Sequence, residues 1–314
     1  MPEILVRQAT LADTYAITDI HCANVSGGVF TRRNSDGTRT PTPYESLTLF
    51  ERYLNGGPWM SVETCAVWLA YLLRYGDEIP LVAELDGHVM GEAEVSIGYE
   101  PAPYGQHLHI TTLQVHPDAP DPQAIANALI DYIKQMASVM RFQQVTTVNP
   151  SHWFEPHNFR PLISRREVVL NAKEGRIVYK ATQLNSYLPE QIKGWYMPFG
   201  REHNARHEWA HIWPGFWNAV PELVEPEVSR FRFELSGQVG ICLFRQNRYT
   251  PTQAHVYLWT QRALSPHMLS AVRDRAARQG YQTLALLVDD QTRAILENEV
   301  LESGAPSIIV SIRV

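Results

Sequence analysis

The amino-acid sequence predicts a mixed α/β fold built from two similar domains in tandem, and three observations carry that reading. Pro80–Leu85, the dipeptide Asp86-Gly87 and His88–Val95 read as a strand, a two-residue turn that wants positive φ, and a second strand. His107–His116, a Pro- and Asp-rich turn, a helix from about Gln123 to Met140 and a strand Gln144–Val148 then make a βαβ unit. Finally, the hairpin returns in the second half: Phe231–Gly240 echoes Leu81–Val89, with Glu234 standing 150 residues after Glu84.

Taken in order, Ile4–Arg7 is a short strand, and Thr10 with Asp13 at the third helical position forms a capping box that opens a helix to about Cys22. Gly27-Gly28 ends it. A polar stretch, Arg32–Pro43, precedes two apolar-periodic segments, Tyr44–Leu54 and Val62–Tyr75, separated by Gly56-Gly57-Pro58 and predicted as helices. After the second hairpin the chain predicts a strand at His255–Thr260, a helix at Pro266–Gln279 and a strand at Thr283–Val288. A helix near Thr292–Glu302 and a strand Ser307–Val314 close it. The boundary is placed between the strand at Val168-Val169-Leu170 and the aromatic segment near Trp195, with Ile177–Ala181 as a linking strand, giving domains 1–180 and 181–314.

Composition narrows the function classes. The chain has 314 residues, 45% hydrophobic and 19% charged, enough for two cores of about 150 residues each and too apolar for disorder or a fibre. Lys and Arg number 27 against 33 Asp and Glu, so there is no basic surplus for nucleic acid or an anionic membrane. Cys22, Cys65 and Cys242 lie far apart without a CxxC pair, which fits a reducing compartment. The most apolar run, Cys65–Leu73, is far short of the roughly 18 to 20 residues a membrane span needs, and no basic-then-apolar leader opens the chain, so a cytoplasmic protein is expected.

Four segments share an order with a known family. Ile4–Asp13, Val82–Gly91, Leu113–Asp118 and Asn158-Phe159-Arg160-Pro161 resemble successive motifs of the GNAT acyl-CoA-dependent acyltransferases: the opening strand and capped helix, the second and third strands, the end of the fourth, and a Gly-Phe-Arg-Pro. In the last, Asn replaces Gly, the substitution best tolerated at positive φ. The resemblance covers about residues 4–170. The second half is similar only in outline, through its hairpin, its βαβ unit and Leu301-Glu302-Ser303-Gly304. It implies two tandem GNAT-like domains, each a twisted, mostly antiparallel sheet with a central βαβ unit and helices on both faces. The implied activity is acyl transfer, most simply of acetyl, from acetyl-CoA to a small-molecule amine, in the N-terminal copy.

The resemblance also implies a site. The acyl donor would lie along Leu113 and Val115, with its pyrophosphate at the amides from Gln123 through Ala124 and Ala126 to Asn127, where the family's Gln/Arg-x-x-Gly-x-Gly/Ala turn opens a helix. Here that turn reads Asp121-Pro122-Gln123-Ala124-Ile125-Ala126: Ala124 replaces glycine, Asp121 places a negative charge where Gln or Arg is expected, and Pro122 removes a donor. The corresponding stretch Gln261–His267 has no glycine. The family's tyrosine acid falls on Phe154, with Tyr99 and Tyr104 as donors from elsewhere, and the base candidates are Glu92 and Glu94 on the third strand and His107 and His109 on the fourth. The alternative is that these polar residues face solvent. Trp59, Trp68, Tyr71 and Tyr75 would line the acceptor pocket, or pack helix on sheet. Because both turns depart from the pattern, a non-catalytic ligand-binding or structural protein is the second reading.

A rival motif lies at His207-Glu208-Trp209-Ala210-His211, a literal His-Glu-x-x-His that on a helix sets two imidazoles on one face with a glutamate base, as in zinc hydrolases. His203 stands one turn earlier, and Glu222, Glu225 and Glu227 are the third-ligand candidates. Pro214-Gly215 breaks the helix almost at once, so no catalytic zinc is expected, with the histidines on the wet face and Trp209, Ile212, Trp213, Phe216 and Trp217 in the core; adventitious metal capture by His203, His207 and His211 is the alternative. The aromatic band from Trp195 to Trp217 is expected to bury the interface between the domains, the alternative being a homodimer contact.

Overall fold

Residues 3–34, 37–75, 78–185, 189–212, 220, 223, 227–235, 237–296 and 299–314 are described by a computed structural model. β1 (Ile4–Gln8) leads into the expected cap, the Asp13 carboxylate accepting from the Thr10 N–H at 2.7 Å, and α1 (Thr14–Ala23) follows. Arg7 donates to both Asp13 oxygens at 2.8 Å, bridges to Glu84, and holds the Asp13 carboxyl below its usual range. A ribbon of β2 (Thr31–Arg33) and β3 (Arg39–Pro41) comes next. The helix expected over Tyr44–Leu54 is shorter. Tyr44–Ser46 is a single tight turn, and α2 (Leu49–Tyr53) starts at Thr48, whose hydroxyl accepts from Glu51 N–H while the Glu51 carboxylate accepts from Thr48 N–H at 2.9 Å. That reciprocal cap decides the start. α3 (Val62–Tyr75) follows as expected.

β4 (Glu78–Leu85) and β5 (His88–Tyr99) form the predicted hairpin, with φ of 50° at Asp86 and 79° at Gly87. β6 (Gln106–Val115), α4 (Pro122–Val139) and β7 (Gln144–Val148) are the βαβ unit. The chain continues through β8 (Arg160–Asn171), β9 (Lys180–Gln183), β10 (Tyr196–Phe199) and α5 (Ala205–Ile212). The plan then repeats as β11 (Val228–Leu235), β12 (Gln238–Gln246), β13 (Gln253–Thr260), α6 (Pro266–Arg278) and β14 (Thr283–Asp289). α7 (Asp290–Leu296) and β15 (Val300–Arg313) end it. The last expected helix therefore stops early, and Leu301-Glu302-Ser303-Gly304 lies in a strand. Pairing of β15 along β8, from Val300 against Leu170 to Ser311 against Arg160, supplies the hydrogen bonds that override the local helical pattern.

The architecture is mixed α/β, as predicted. One sheet runs β1-β4-β5-β6-β7-β15-β8-β14-β13-β12-β11-β9, antiparallel except where β7 pairs β6 and where β14 pairs β13. The cut near residue 180 falls at the start of β9, but the sheet passes through the junction without a break. β15, from the C-terminal half, pairs with β7, and β8, from the N-terminal half, pairs with β14. Each half thus completes the other's sheet.

Leu81, Ala83, Ala93, Val95, Leu108 and Ile110 pack against Ile125, Leu129 and Ile133 of α4 on one face of the N-terminal half. Ile17 of α1 and Cys65, Trp68 and Leu72 of α3 cover Val82 on the other. The C-terminal half has its own core around Phe233, Phe244, Leu258, Met268 and Leu284. The three cysteines are free. No helix among the described residues is long and apolar enough to cross a membrane.

Candidate active site

Strand register builds an unusual sheet face. Pairing of Glu78 with Ser96, Pro80 with Glu94 and Val82 with Glu92 sets three glutamates on the face opposite α4, and Ser96 against His109 and Gly98 against His107 extend it onto β6. α1, α3 and α5 cover that face. The expected solvent-facing alternative is overturned: Glu92, His107 and His109 are 0% exposed and Glu94 3%. Alternation alone places them on this face, and the covering helices take it out of water.

β6 and β7 are paired only over His107–Ile110 and Gln144–Thr147, while β6 runs on to Val115. Beside this opening lies a cleft of about 470 Å³, bounded by His21, Trp59, Trp68, Glu94, Thr111, Thr112 and Gln114 from the N-terminal half and by Glu202, His203, His207 and His211 from the C-terminal half. Of the expected base candidates, Glu94 lines it. Trp68 Nε1 donates to Glu94 Oε2 at 3.1 Å, and burial, reinforced by Glu78, holds the Glu94 carboxyl well above the usual range. Glu92 pairs with His21 Nε2 at 3.0 Å, and His109 Nδ1 is 2.8 Å from the Thr146 hydroxyl. His107 donates Nδ1–H to the Gly105 carbonyl at 3.1 Å, and burial pushes its imidazole down to about 4.

The expected acyl-donor residues divide. Leu113 and Val115 are core side chains under α4, Ala126 is a core residue of α4 itself, and it is Thr112 and Gln114 that face the cleft. The Val115 carbonyl accepts from Asn24 Nδ2 at 2.8 Å. Asp121 is the N-cap of α4, and its Oδ1 accepts from Ala124 N–H at 3.0 Å. An amide that the family turn would offer to pyrophosphate is therefore already held by a carboxylate, which competes with an anion at this helix end. Gln123 Nε2 donates to Asn127 Oδ1 at 2.9 Å and to the Trp153 carbonyl at 3.3 Å, and His157 Nε2 donates to Asn127 at 3.0 Å.

Phe154 is 5% exposed and meets Phe159 edge-on at 5.3 Å, a core residue with no proton to give. Tyr104 lies under the Arg201 guanidinium at 3.4 Å, burial raising its phenol, and Tyr99 packs edge-on to Phe142. Neither lines the cleft. Trp59 and Trp68 do, whereas Tyr71 stacks behind Trp68 at 5.5 Å. The side chain of Tyr75 lies outside the described residues.

The histidines of α5 are also corrected. They turn toward the N-terminal half, because Trp209 occupies the opposite face, meeting Trp259 edge-on at 5.2 Å in a core with Ile241 and Tyr257. Trp195 packs against this same core, so these two aromatics of the expected band serve the C-terminal sheet, and the polar face of α5 makes a contact between the halves. Trp213, Phe216, Trp217, Glu222 and Glu225 lie outside the described residues, as does the side chain of Ile212, and Glu227 is exposed. Asn204 caps α5, its Oδ1 accepting from His207 N–H at 2.8 Å while its Nδ2 donates to Ser96 Oγ at 2.8 Å. Arg201 pairs with Glu100, and Ala205 N–H donates to the same carboxylate at 3.1 Å. Glu208 is spent at the helix start, accepting from His203 N–H at 2.8 Å, and burial pushes its carboxyl up to about 8. The hydrolase arrangement, with that glutamate beside the histidine pair, is not formed.

Sequence reasoning missed Glu78 and His21. Glu78 shares β4 parity with Pro80 and Val82, the one signal that places it beside Glu92 and Glu94. No protein-family model matches the chain, and no curated protein matches it in sequence. Solved structures match it in fold. A GCN5-related N-acetyltransferase from Kribbella flavida superposes with a TM-score of 0.59 at 10% identity, covering 99% of this chain and 71% of that one. A second, from Anabaena variabilis, gives 0.59 at 9% identity over 98% of this chain and 72% of that one. At such identities the likeness concerns the fold alone, and over nearly its whole length this chain has the GNAT fold.

Proposed function

We propose that the chain transfers an acetyl group from acetyl-CoA to a small-molecule amine in the cleft of its N-terminal half. The observation that carries this is Glu94: a buried carboxyl, held toward its protonated form, in a cleft beside the point where β6 parts from β7. The fold likeness supports the reaction class. In the transfer, the amine nitrogen forms a bond to the thioester carbonyl carbon and the carbon–sulfur bond breaks. Glu94 gives its proton to the leaving thiolate and recovers one from the nitrogen, so a single carboxyl closes the balance without the tyrosine that Phe154 replaces. Trp59 and Trp68 supply apolar walls that exclude water. The departure at Asp121 favours a second reading, a cleft that binds its ligand without acyl-CoA.

Calorimetric titration with acetyl-CoA, followed by an amine screen, separates the two. Saturable binding with acetyl transfer is expected, and Glu94→Gln should keep the binding while losing at least about a hundredfold in turnover. Absence of binding up to millimolar acetyl-CoA would leave only the second reading.

A further inference from the structure

We infer that Glu78, His207 and His211 form a binding site for one divalent transition-metal ion, Zn²⁺ being the best match to the donor set, at the contact between the two halves. One ligand atom from each residue lies within 4.8 Å of the other two. His207 and His211 stand one turn apart on α5, and Glu78 opens β4, so the site needs both halves of the chain. Its components are two imidazoles and one carboxylate, a donor set of catalytic zinc sites that leave a position open, shared with non-haem Fe(II) sites. The two imidazoles also line the cleft, so an ion has both an entry path and room for a further ligand.

Three features distinguish this from an ordinary packed histidine pair. His207 is 8% exposed, and its Nδ1 is in ion-pair contact with Glu78 Oε1 at 2.7 Å without the alignment of a hydrogen bond. The rings of His207 and His211 are 3.8 Å apart between centroids, with His203 a further 4.6 Å from His207, a crowding of polar rings that no protein hydrogen bond accounts for at His207 Nδ1. Last, the surroundings orient the set as metal sites do. His211 Nδ1 donates to the His207 carbonyl at 2.8 Å, which fixes its tautomer, and Trp68 packs on the His211 ring at 4.6 Å while holding Glu94, the neighbour of Glu78. The third ligand comes from a strand of the other half, and Glu208 takes no part. The ion would therefore pin α5 to β4, independently of whether the cleft transfers acetyl groups.

The test uses the full chain without a histidine tag, stripped with chelator, reloaded with Zn²⁺ alone, dialysed, and measured by elemental analysis with competition against a chromophoric chelator. About one retained equivalent is expected, with a raised melting temperature. His211→Ala and Glu78→Gln, checked for folding by circular dichroism, should weaken binding at least about tenfold, and His157→Ala, far from the cluster, should not. Less than half an equivalent in the wild-type protein overturns the proposal, and so does full retention by folded His211→Ala and Glu78→Gln variants, which would put the ion elsewhere.

Discussion

Asp121 shows how one side chain can decide what a helix end offers. Its carboxylate holds the Ala124 N–H at 3.0 Å, stabilising α4 but placing negative charge where an anion would otherwise dock. Asp121→Ala should therefore act in two directions. Loss of the cap is expected to cost about 1 kcal/mol of stability by chemical denaturation. Acetyl-CoA should bind roughly fivefold tighter by calorimetry, the equivalent of about 1 kcal/mol of helix-end electrostatics. Unchanged affinity in a folded variant would mean that the α4 turn does not meet the donor. The residue types around this turn, including Pro122 and Gln123, were all legible in the sequence. What Asp121 does there was not, because an acidic residue before a helix reads equally as a cap or as a repulsive charge.

At the level of the element, β5 and β6 carry a face that no amphipathic pattern announces. Period-2 alternation identifies Leu108 and Ile110 as core and assigns His107 and His109 to the other side, but it cannot tell water from a covering helix. Gly98 makes the burial of His107 feasible: a β-carbon there would fall 2.2 Å from the His107 ring. An imidazole kept neutral in this way has a pH signature. Its folded value of about 4 lies below the roughly 6.5 of an unfolded histidine, so the unfolded chain takes up the proton first. Stability present above about pH 6.5 should then be lost as the pH falls toward 4, with His107 contributing on the order of 3 kcal/mol. Denaturation curves between pH 7 and 4 check this, and a folded His107→Gln variant should show a shallower acid loss. An equally steep loss in that variant would assign the effect to other groups.

On the scale of the whole molecule, the exchange of β8 and β15 joins two repeated plans in one continuous sheet. Removing residues 181–314 would take β15 and β14 from the two sides of β8 and uncover β7, leaving β8 without a strand partner, exposed backbone that a stable domain avoids. A single calorimetric transition with matching van't Hoff and calorimetric enthalpies is expected for the full chain, and the fragment 1–180 should fail to fold alone. Two resolved transitions, or a folded fragment, would show the halves to be separable. Much of this architecture was already in the sequence: the hairpin at Asp86-Gly87, its echo at Phe231–Gly240, both βαβ units and the capped helix after Ile4–Arg7, because turn chemistry, capping and apolar periodicity act over a few residues and repeat in both halves. Only the tertiary structure decided the rest. The place of β15 between β7 and β8, the choice of Glu94 over Glu92 and His109 to face the cleft, and the meeting of Glu78 with His207 and His211 join residues 100 or more positions apart or select among equivalent ones. Contacts of that reach depend on how finished elements pack, which local pattern does not encode.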